Sequence, residues 1–308
     1  YGNGTIPLAN QQNATGVWDS NYAGVWHLGD GDSTDAGFYK DSTATPANGT
    51  LTDADGNTAQ GAGAIGNNMN FNGNADSIDV GNPSKLQITG SLTVSSWINL
   101  TAYDQTTNNI VTKTKFGASP DVAWQFLLDN GPDNTLLMLV TTDGSTNAFR
   151  YQENFTFPLN TWGYVTGVFN AGAQTITLYR VGSVVAPTTL SGTIPSSIFN
   201  SAEPVRIATR KRDASLENFF NGNIDEVRIS NTVRSANWIK TEYNNQSSPS
   251  TFYAVGGEEQ LTRPAGVSGV RIRSGVGSAA QWYNSSWQYR KKITITPTQV
   301  AGTSTNHF

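Results

Sequence analysis

The chain has 308 residues, of which 37% are hydrophobic and 14% charged, with 31 Gly, 31 Asn and no Cys. No apolar run approaches the roughly 20 residues that a membrane-spanning helix needs, and the absence of Cys excludes disulfides and thiolate metal sites. The net charge of −4 is the sum of −8 in residues 1–109, −2 in residues 110–260 and +6 in residues 261–308. The acidic head could therefore attract the basic tail. The acidic body disfavours nucleic acid as a partner.

Short segments in which polar and apolar residues alternate dominate the chain from its start to about residue 230. Such segments predict strands, and Asn-Gly or Asp-Gly pairs between them predict turns, here at Asn72-Gly73, Asp143-Gly144 and Asn221-Gly222. The clearest predicted strands lie at 91–98, 124–128, 136–140, 162–169 and 175–179. Many short strands with tight turns predict an all-β protein, an antiparallel jelly-roll β-sandwich.

One short helix is predicted near the end of this body, over residues 236–243. Ser235 is its predicted N-cap, and Ala236, Ile239 and Tyr243 share one face. Residues 244–250 are linker-like, and residues 261–280 are rich in Gly and Ser. The chain therefore divides into an N-terminal strand or linker (1–19), a jelly roll (20–257) and a basic tail (258–308), with extended segments at both ends.

The tail ends in a further predicted strand, at 289–296, in which polar and apolar residues alternate again. This strand is a candidate for addition to the sheet edge of a neighbouring copy or domain. The alternative, equally favoured, is that the tail folds back on its own sandwich. The residues on the predicted assembly face are Tyr289, Lys291, Ile293 and Ile295.

Four stretches, in order, carry the residues of one known family. They are VWHL (25–28) with KDST (40–43) and NGTL (48–51); GNNMNFNG (66–73) with IDV (78–80); LTVSSWI (92–98); and FNGNIDEVRI (220–229). Over about residues 20–245 the chain therefore resembles LamG-like domains of the concanavalin A-like lectin and glucanase superfamily. Residues 1–3 and 287–295 resemble the last and first strands of a small β domain of unknown function, which neighbours LamG-like domains in microbial surface proteins.

This resemblance implies one structural Ca²⁺, held by Asp41, Asp225 and oxygens near Asn48. Oxygen-rich loops suit Ca²⁺. The loop departs from the family pattern, which has Ser-Gly-Asn-Gly where residues 42–45 read Ser-Thr-Ala-Thr. In the alternative without a metal, Asp41 caps a turn and Asp225 forms an ion pair with Arg228 or Arg206.

Two other loops are rich in acids, at 30–35 and at 53–57. Neither has the bidentate Glu of an EF-hand at the required position, so the pattern excludes that motif. We expect the acids of both loops to be solvated.

Catalysis is not expected. Glucanases of this superfamily carry Glu-x-Asp-x-Glu, or a one-residue variant, on a strand, and no such motif occurs here. The adjacent pair Asp225-Glu226 would point to opposite faces of a strand, whereas glycoside hydrolysis needs two carboxylates facing one sugar. His27 follows Trp26 in an apolar segment, which is typical of a core or edge histidine. A glycoside hydrolase is therefore the least favoured alternative.

Glycan binding is the remaining hypothesis for a site. Trp18, Tyr22 and Tyr103 lie on or near loops where sugars could stack on them, although packing is the better explanation for each. The prediction is a non-enzymatic extracellular module of a microbial surface protein that adheres by binding a glycan or a protein. The alternative is a structural subunit of an extracellular filament, sheath or surface array, in which copies join head-to-tail through the tail strand.

Overall fold

The computed structural model describes residues 13–53, 55–56, 59–103, 105–129, 135–145, 149–153, 156–260 and 289–300. The predicted pieces of a neighbouring domain at 1–3 and 287–288 lie outside these residues. The chain is mostly β, with 45% in strands and 11% helical. Two large sheets form a sandwich, so the predicted all-β jelly roll is confirmed.

Twenty strands and three helices follow one another along the described chain. The helices are α1 (Ala14–Val17), α2 (Ala236–Ser247) and α3 (Pro249–Phe252). The strands are β1 (Tyr22–Trp26), β2 (Thr50–Thr52), β3 (Ala59–Ala62), β4 (Asn67–Asn72), β5 (Ser77–Gly81), β6 (Leu92–Leu100), β7 (Thr107–Phe116), β8 (Asp121–Asp129), β9 (Thr135–Val140), β10 (Phe149–Glu153), β11 (Gly163–Asn170), β12 (Thr175–Arg180), β13 (Ser183–Val184), β14 (Pro187–Ser191), β15 (Val205–Ile207), β16 (Arg210–Arg212), β17 (Ser215–Glu217), β18 (Asn221–Ser230), β19 (Tyr253–Gln260) and β20 (Tyr289–Ile295).

The first sheet has eight strands, in the order β13-β12-β11-β6-β18-β4-β3, with β1 also paired to β18. The second has ten, in the order β14-β10-β9-β8-β7-β15-β5-β2, with β16 and β17 attached beside β7. Neighbours far apart in sequence, such as β6 and β18, lie side by side, as jelly-roll connections require. β18 is central to the first sheet and carries the residues discussed below.

The period-2 pattern of β11 separates two apolar cores. Val165 and Phe169 face the main core between the sheets, whereas Tyr164 and Val168 lie on the opposite face of the first sheet. On that outer face they pack with Ile239 of α2 in a second buried cluster. Because successive strand residues point to opposite faces, one alternating segment supplies both cores.

The helix predicted near the end of the body is confirmed but is longer than expected. Ser235 is its N-cap, accepting a hydrogen bond from the Trp238 backbone N–H at 3.2 Å. The helix continues to Ser247, through part of the predicted linker. Gln246 explains the extension, because it is buried and its Oε1 accepts from the indole N–H of Trp97 at 2.6 Å.

One predicted turn is wrong. Asn221 and Gly222 begin β18 and do not connect two strands. Gly222 has φ +144°, and a Cβ there would lie 2.2 Å from the carbonyl oxygen of Asn99. This glycine permits the close approach of β18 to β6, which sequence alone does not distinguish from a turn.

The predicted tail strand pairs with its own chain. β20 and β19 form a two-stranded antiparallel sheet of their own, with Val255 opposite Ile293 and Tyr253 opposite Ile295. β19 lies across the predicted boundary between residues 257 and 258. Within the described part of the chain, no helix is long and apolar enough to cross a membrane.

Candidate functional site

A cleft of about 430 Å³ lies beside α2, on the outer side of the first sheet. It collects residues from α1 and the segment that follows it, from β1 and β18, and from α2 and α3. Its lining combines aromatic rings with charged and amide groups, a mixture typical of ligand pockets of this size. The residues used below are Trp18, Asp19, Tyr22, Arg228, Trp238 and Glu242.

Arg228 and Glu242 form the polar floor of the cleft. They belong to a row of four side chains, His27, Glu226, Arg228 and Glu242, in which basic and acidic groups alternate and which we call the alternating network. Glu226 Oε1 lies 2.6 Å from His27 Nδ1, and its Oε2 accepts from Arg228 Nη2 at 2.6 Å. Arg228 Nη1 donates to Glu242 Oε1 at 3.0 Å. Each buried charge therefore has an opposite charge in contact, which is the condition for burying it.

A β-bulge in β18 lies within this row. Between Asp225 and Arg228 the register with β6 shifts, and Glu226 has φ +53°, a left-handed conformation that is uncommon for a residue other than glycine. Glu226 and Arg228 contact one another while Asp225 makes separate contacts. The expectation that Asp225 and Glu226 do not act on one ligand agrees with these separate partners.

The network shifts the pKa values of Glu226 and His27. Burial alone would raise the pKa of Glu226, but Arg228 and His27 hold it below its ordinary value. The hydrogen bond to Glu226 raises the pKa of His27.

Tyr22 and Tyr164 donate to the two oxygens of Glu242, at 2.5 and 3.1 Å. The carboxylates of Glu226 and Glu242 are therefore both occupied by donors within the protein.

Aromatic rings form the walls of the cleft, and cations hold them. The half-buried Trp18 meets Tyr22 edge to face at 5.2 Å between ring centroids, and the Arg228 guanidinium lies 5.0 Å from its ring. The Arg234 guanidinium lies 4.2 Å from the ring of Tyr22 and 4.4 Å from that of Trp238. These distances lie within the range of cation–π contacts, so the rings are fixed before any ligand arrives.

The structure brings two of the three predicted loop aromatics together. Trp18 and Tyr22 line the cleft, whereas Tyr103 packs against the main core. Sequence reasoning did not identify Arg228 or Glu242 as parts of a site. For Arg228 a signal existed, since a charged residue flanked by apolar residues in a central strand needs a buried partner.

Asp41 has a full set of donors. Its Oδ1 accepts from the backbone N–H groups of Val25 and Thr43, both at 3.0 Å, and its Oδ2 accepts from that of Ala47 at 2.8 Å. The ammonium group of Lys85 also pairs with Oδ2. Asp41 thus caps its loop, as the alternative without a metal proposed. The Lys85 ammonium is thus the cation that the structure places beside Asp41.

The other two predicted ligands differ from each other. Asn48 is brought to Asp41, whose backbone N–H donates to its Oδ1 at 3.1 Å. Asp225 instead accepts from the Ile65 N–H at 2.9 Å, and its other oxygen is buried with no donor among the described residues. Burial raises the pKa of Asp225 to about 7. The Ca²⁺ site of Asp41, Asn48 and Asp225 stays a prediction.

The expected pairing of Asp225 with an arginine is wrong. Arg228 pairs with Glu226 and Glu242, and Arg206 pairs with Glu203 at 3.0 Å. Both guanidinium groups are therefore occupied by carboxylates other than that of Asp225.

Residues 72–240 match the family model described as the concanavalin A-like lectin/glucanases superfamily. No curated protein matches the chain by sequence.

Solved structures share its fold. Domain 4 of AbnA, a GH43 extracellular arabinanase from Geobacillus stearothermophilus, was solved in complex with arabinotriose; it has a TM-score of 0.50 and 16% identity, covering 71% of this chain and 96% of that domain. The binding domain of Paraclostridial Mosquitocidal Protein 1 has a TM-score of 0.52 and 17% identity, with 73% of this chain and 52% of that one covered. The botulinum neurotoxin serotype G binding domain has a TM-score of 0.52 and 12% identity, with 77% of this chain and 56% of that one covered. The chain thus spans about half the length of the two toxin domains.

Proposed function

Because the chain belongs to the concanavalin A-like lectin/glucanases superfamily, we propose that it is a non-enzymatic module that binds a glycan in the cleft beside α2. In this proposal it belongs to an extracellular microbial surface protein and serves adhesion. The observation that carries the proposal is the pairing of fixed aromatic walls with a polar floor in one cleft. Sugars need both, since their C–H faces pack on aromatic rings and their hydroxyls need hydrogen-bond partners.

The charges around the cleft favour a neutral sugar. Glu226 and Glu242 are balanced by Arg228 and His27, and Arg234 binds both oxygens of Asp19, at 2.7 and 2.8 Å. A ligand therefore meets paired charges and little net field. Among the described residues that line the cleft, Arg228 is the cation, and an anionic sugar would have to compete with two existing carboxylates for it.

The lowered pKa of Glu226 argues against a role for this residue as a catalytic acid beside the cleft. A glycosidase needs one carboxylic acid that keeps its proton near neutral pH, which requires a raised pKa. Despite its burial, Glu226 has a lowered pKa because of Arg228 and His27. Glu242 accepts hydrogen bonds from Tyr22, Tyr164 and Arg228, so it too is occupied.

Substitution of Trp18 tests the proposal directly. Binding is first sought on an array of neutral and acidic oligosaccharides, and the best neutral ligand is then titrated calorimetrically. Trp18→Ala should weaken binding about fivefold or more, because a stacked ring contributes roughly 1 kcal/mol or more. Tyr103→Ala is the matched control, since Tyr103 is an aromatic residue outside the cleft and should leave the affinity unchanged. A silent array, or equal affinities for the wild type and Trp18→Ala, would refute the proposal.

One observation favours the second candidate function, a structural subunit joined to other copies through the tail. The β19–β20 pair joins neither sheet of the sandwich, and Val255 and Ile293, which face each other, are 50% and 64% exposed. An isolated two-stranded hairpin is marginally stable in water, so a further strand from a neighbour would stabilise it.

Light scattering behind a sizing column tests this second candidate. A concentration-dependent oligomer that Ile293→Asp dissociates would support it. Val184→Asp serves as the control, because Val184 is 57% exposed on β13 of the sandwich. A monomer at all concentrations and salt levels would overturn it, and so would an oligomer that Ile293→Asp leaves intact.

A further inference from the structure

Three aspartates from two loops meet at one end of β4. Asp53 and Asp55 lie in the connection between β2 and β3, and Asp76 lies between β4 and β5. One carboxylate oxygen from each lies within 4.8 Å of the corresponding oxygens of the other two. We call these three residues the acidic cluster. Sequence reasoning treated the first two as solvated loop acids and did not consider the third.

Asp76 makes this cluster different from an ordinary group of surface acids. It is fully buried, at 0% exposure. Its Oδ2 accepts from the Asn72 backbone N–H at 3.1 Å, but its Oδ1 is buried with no donor among the described residues. Burial, with the neighbouring charges of Asp53 and Asp55, raises the pKa of Asp76 to about 6. A buried carboxylate oxygen that faces other carboxylates is costly unless a cation joins them.

The surrounding loops are built to hold this geometry. Asp53 Oδ1 accepts from the Gly56 backbone N–H at 2.6 Å, which fixes the tight turn around Asp55. The side-chain amide of Asn72 donates to both oxygens of Asp55, at 3.0 and 2.9 Å, and that of Asn74 donates at 3.2 Å. The two loops are therefore tied together beside the cluster.

We propose that Asp53, Asp55 and Asp76 bind a divalent cation, Ca²⁺ in preference to Mg²⁺. Two oxygens that coordinate Ca²⁺ at about 2.4 Å are at most about 4.8 Å apart, which matches the spacing of the cluster. Three carboxylates on loops suit the flexible, all-oxygen shell of Ca²⁺ better than the strict octahedron of Mg²⁺. The ion would join the β2–β3 connection to the β4–β5 turn. This site is separate from the cleft and from Asp41, Asn48 and Asp225.

Calorimetry and thermal unfolding test the proposal on the full chain after EDTA treatment and dialysis. Addition of 1 mM CaCl₂ should release binding heat for one ion per chain and raise the melting temperature by about 5 °C, with a smaller effect of MgCl₂. Asp76→Asn and Asp55→Asn should abolish both responses. Asp55 is exposed, so its substitution keeps the test informative if the buried variant folds poorly. Asp225→Asn is the control and should bind Ca²⁺ like the wild type.

Three results would overturn the proposal. One is the absence of any Ca²⁺ response in the wild type at millimolar concentration. The second is Ca²⁺ binding that survives in both Asp76→Asn and Asp55→Asn. The third is loss of binding in Asp225→Asn alone, which would assign the ion to the site that the family resemblance implies.

Discussion

The neighbours of the buried carboxylates have opposite charges in the alternating network and in the acidic cluster. In the network, Glu226 touches both a histidine and an arginine, and Glu242 touches that same arginine. In the cluster, Asp76 has one backbone donor and two carboxylate neighbours among the described residues. The first region supplies its own counter-charges from three distant segments, whereas the second, in our proposal, takes a cation from solution. Removing a member of the network should therefore destabilise the protein, and neutralising Asp76 should stabilise its metal-free form.

The largest effect is expected from Arg228→Met. The substitution keeps most of the volume of the side chain but leaves Glu226 and Glu242 buried without their shared cation. Loss of one partner of a buried charge network costs about 3–5 kcal/mol of unfolding free energy. Urea denaturation measures this loss of unfolding free energy. Arg212→Met is the control, because its pair with Glu217 is half-exposed and should cost less than about 1 kcal/mol. Similar losses in both variants would show that the network is not special.

Lys85→Met should have the next largest effect. The Asp41 side chain is completely buried, and Lys85 is its charged partner. We expect a loss of about 2–3 kcal/mol in urea denaturation, less than for Arg228, because three backbone N–H groups still donate to Asp41. If CaCl₂ restores the stability of this variant, Asp41 can accept a metal once the ammonium is gone. An unchanged unfolding free energy would contradict the role given to Lys85.

Asp76→Asn should change the free energy of unfolding in the opposite direction and stabilise the metal-free protein. In metal-free buffer the amide removes one of three neighbouring negative charges, so stability should rise by about 1 kcal/mol. Asp79→Asn is a suitable control, because the Asp79 side chain is 42% exposed and lies on the following strand. A loss of stability on neutralising Asp76 would show that its carboxylate has a stabilising partner within the chain, and the contrast between the two regions would fail.

Local patterns explain why much of the fold could be predicted. Alternation along β11 and the side-chain oxygen of Ser235 are properties of a few adjacent residues, and the structure confirms both. The prediction of a turn at Asn221-Gly222 is wrong because the requirement for glycine comes from Asn99 on another strand. The predicted end of α2 at residue 243 is too early for the same reason, since Gln246 is fixed by a hydrogen bond from the distant Trp97.

The sites depend on contacts that sequence spacing does not reveal. Glu242 reaches Tyr22 across 220 positions in the chain, and Arg228 contacts Glu242 of a distant helix as well as Glu226 of its own strand. Asp76 lies 21 residues after Asp55, and only the pairing of β3 with β4 brings their loops together. Residue types alone therefore indicated aromatic and acidic candidates without showing which of them meet.

The smallest effect concerns His27, the half-exposed end of the network, at 45% side-chain exposure. Glu226 raises its folded-state pKa above the ordinary value of 6.5. Asp30 adds to this rise, whereas burial and Arg228 oppose it. A raised histidine pKa means that the pair stabilises the fold fully below about pH 6.5 and that this contribution is lost as the pH rises through the folded-state value. His27→Gln should therefore cost about 0.5 kcal/mol near pH 5.5 and close to nothing near pH 9, measured by urea denaturation. Repeating the substitution in a Glu226→Gln background should remove the pH dependence, because the partner that raises the pKa is gone. Equal losses at both pH values would mean that His27 contributes by packing alone and that the network effectively ends at Glu226.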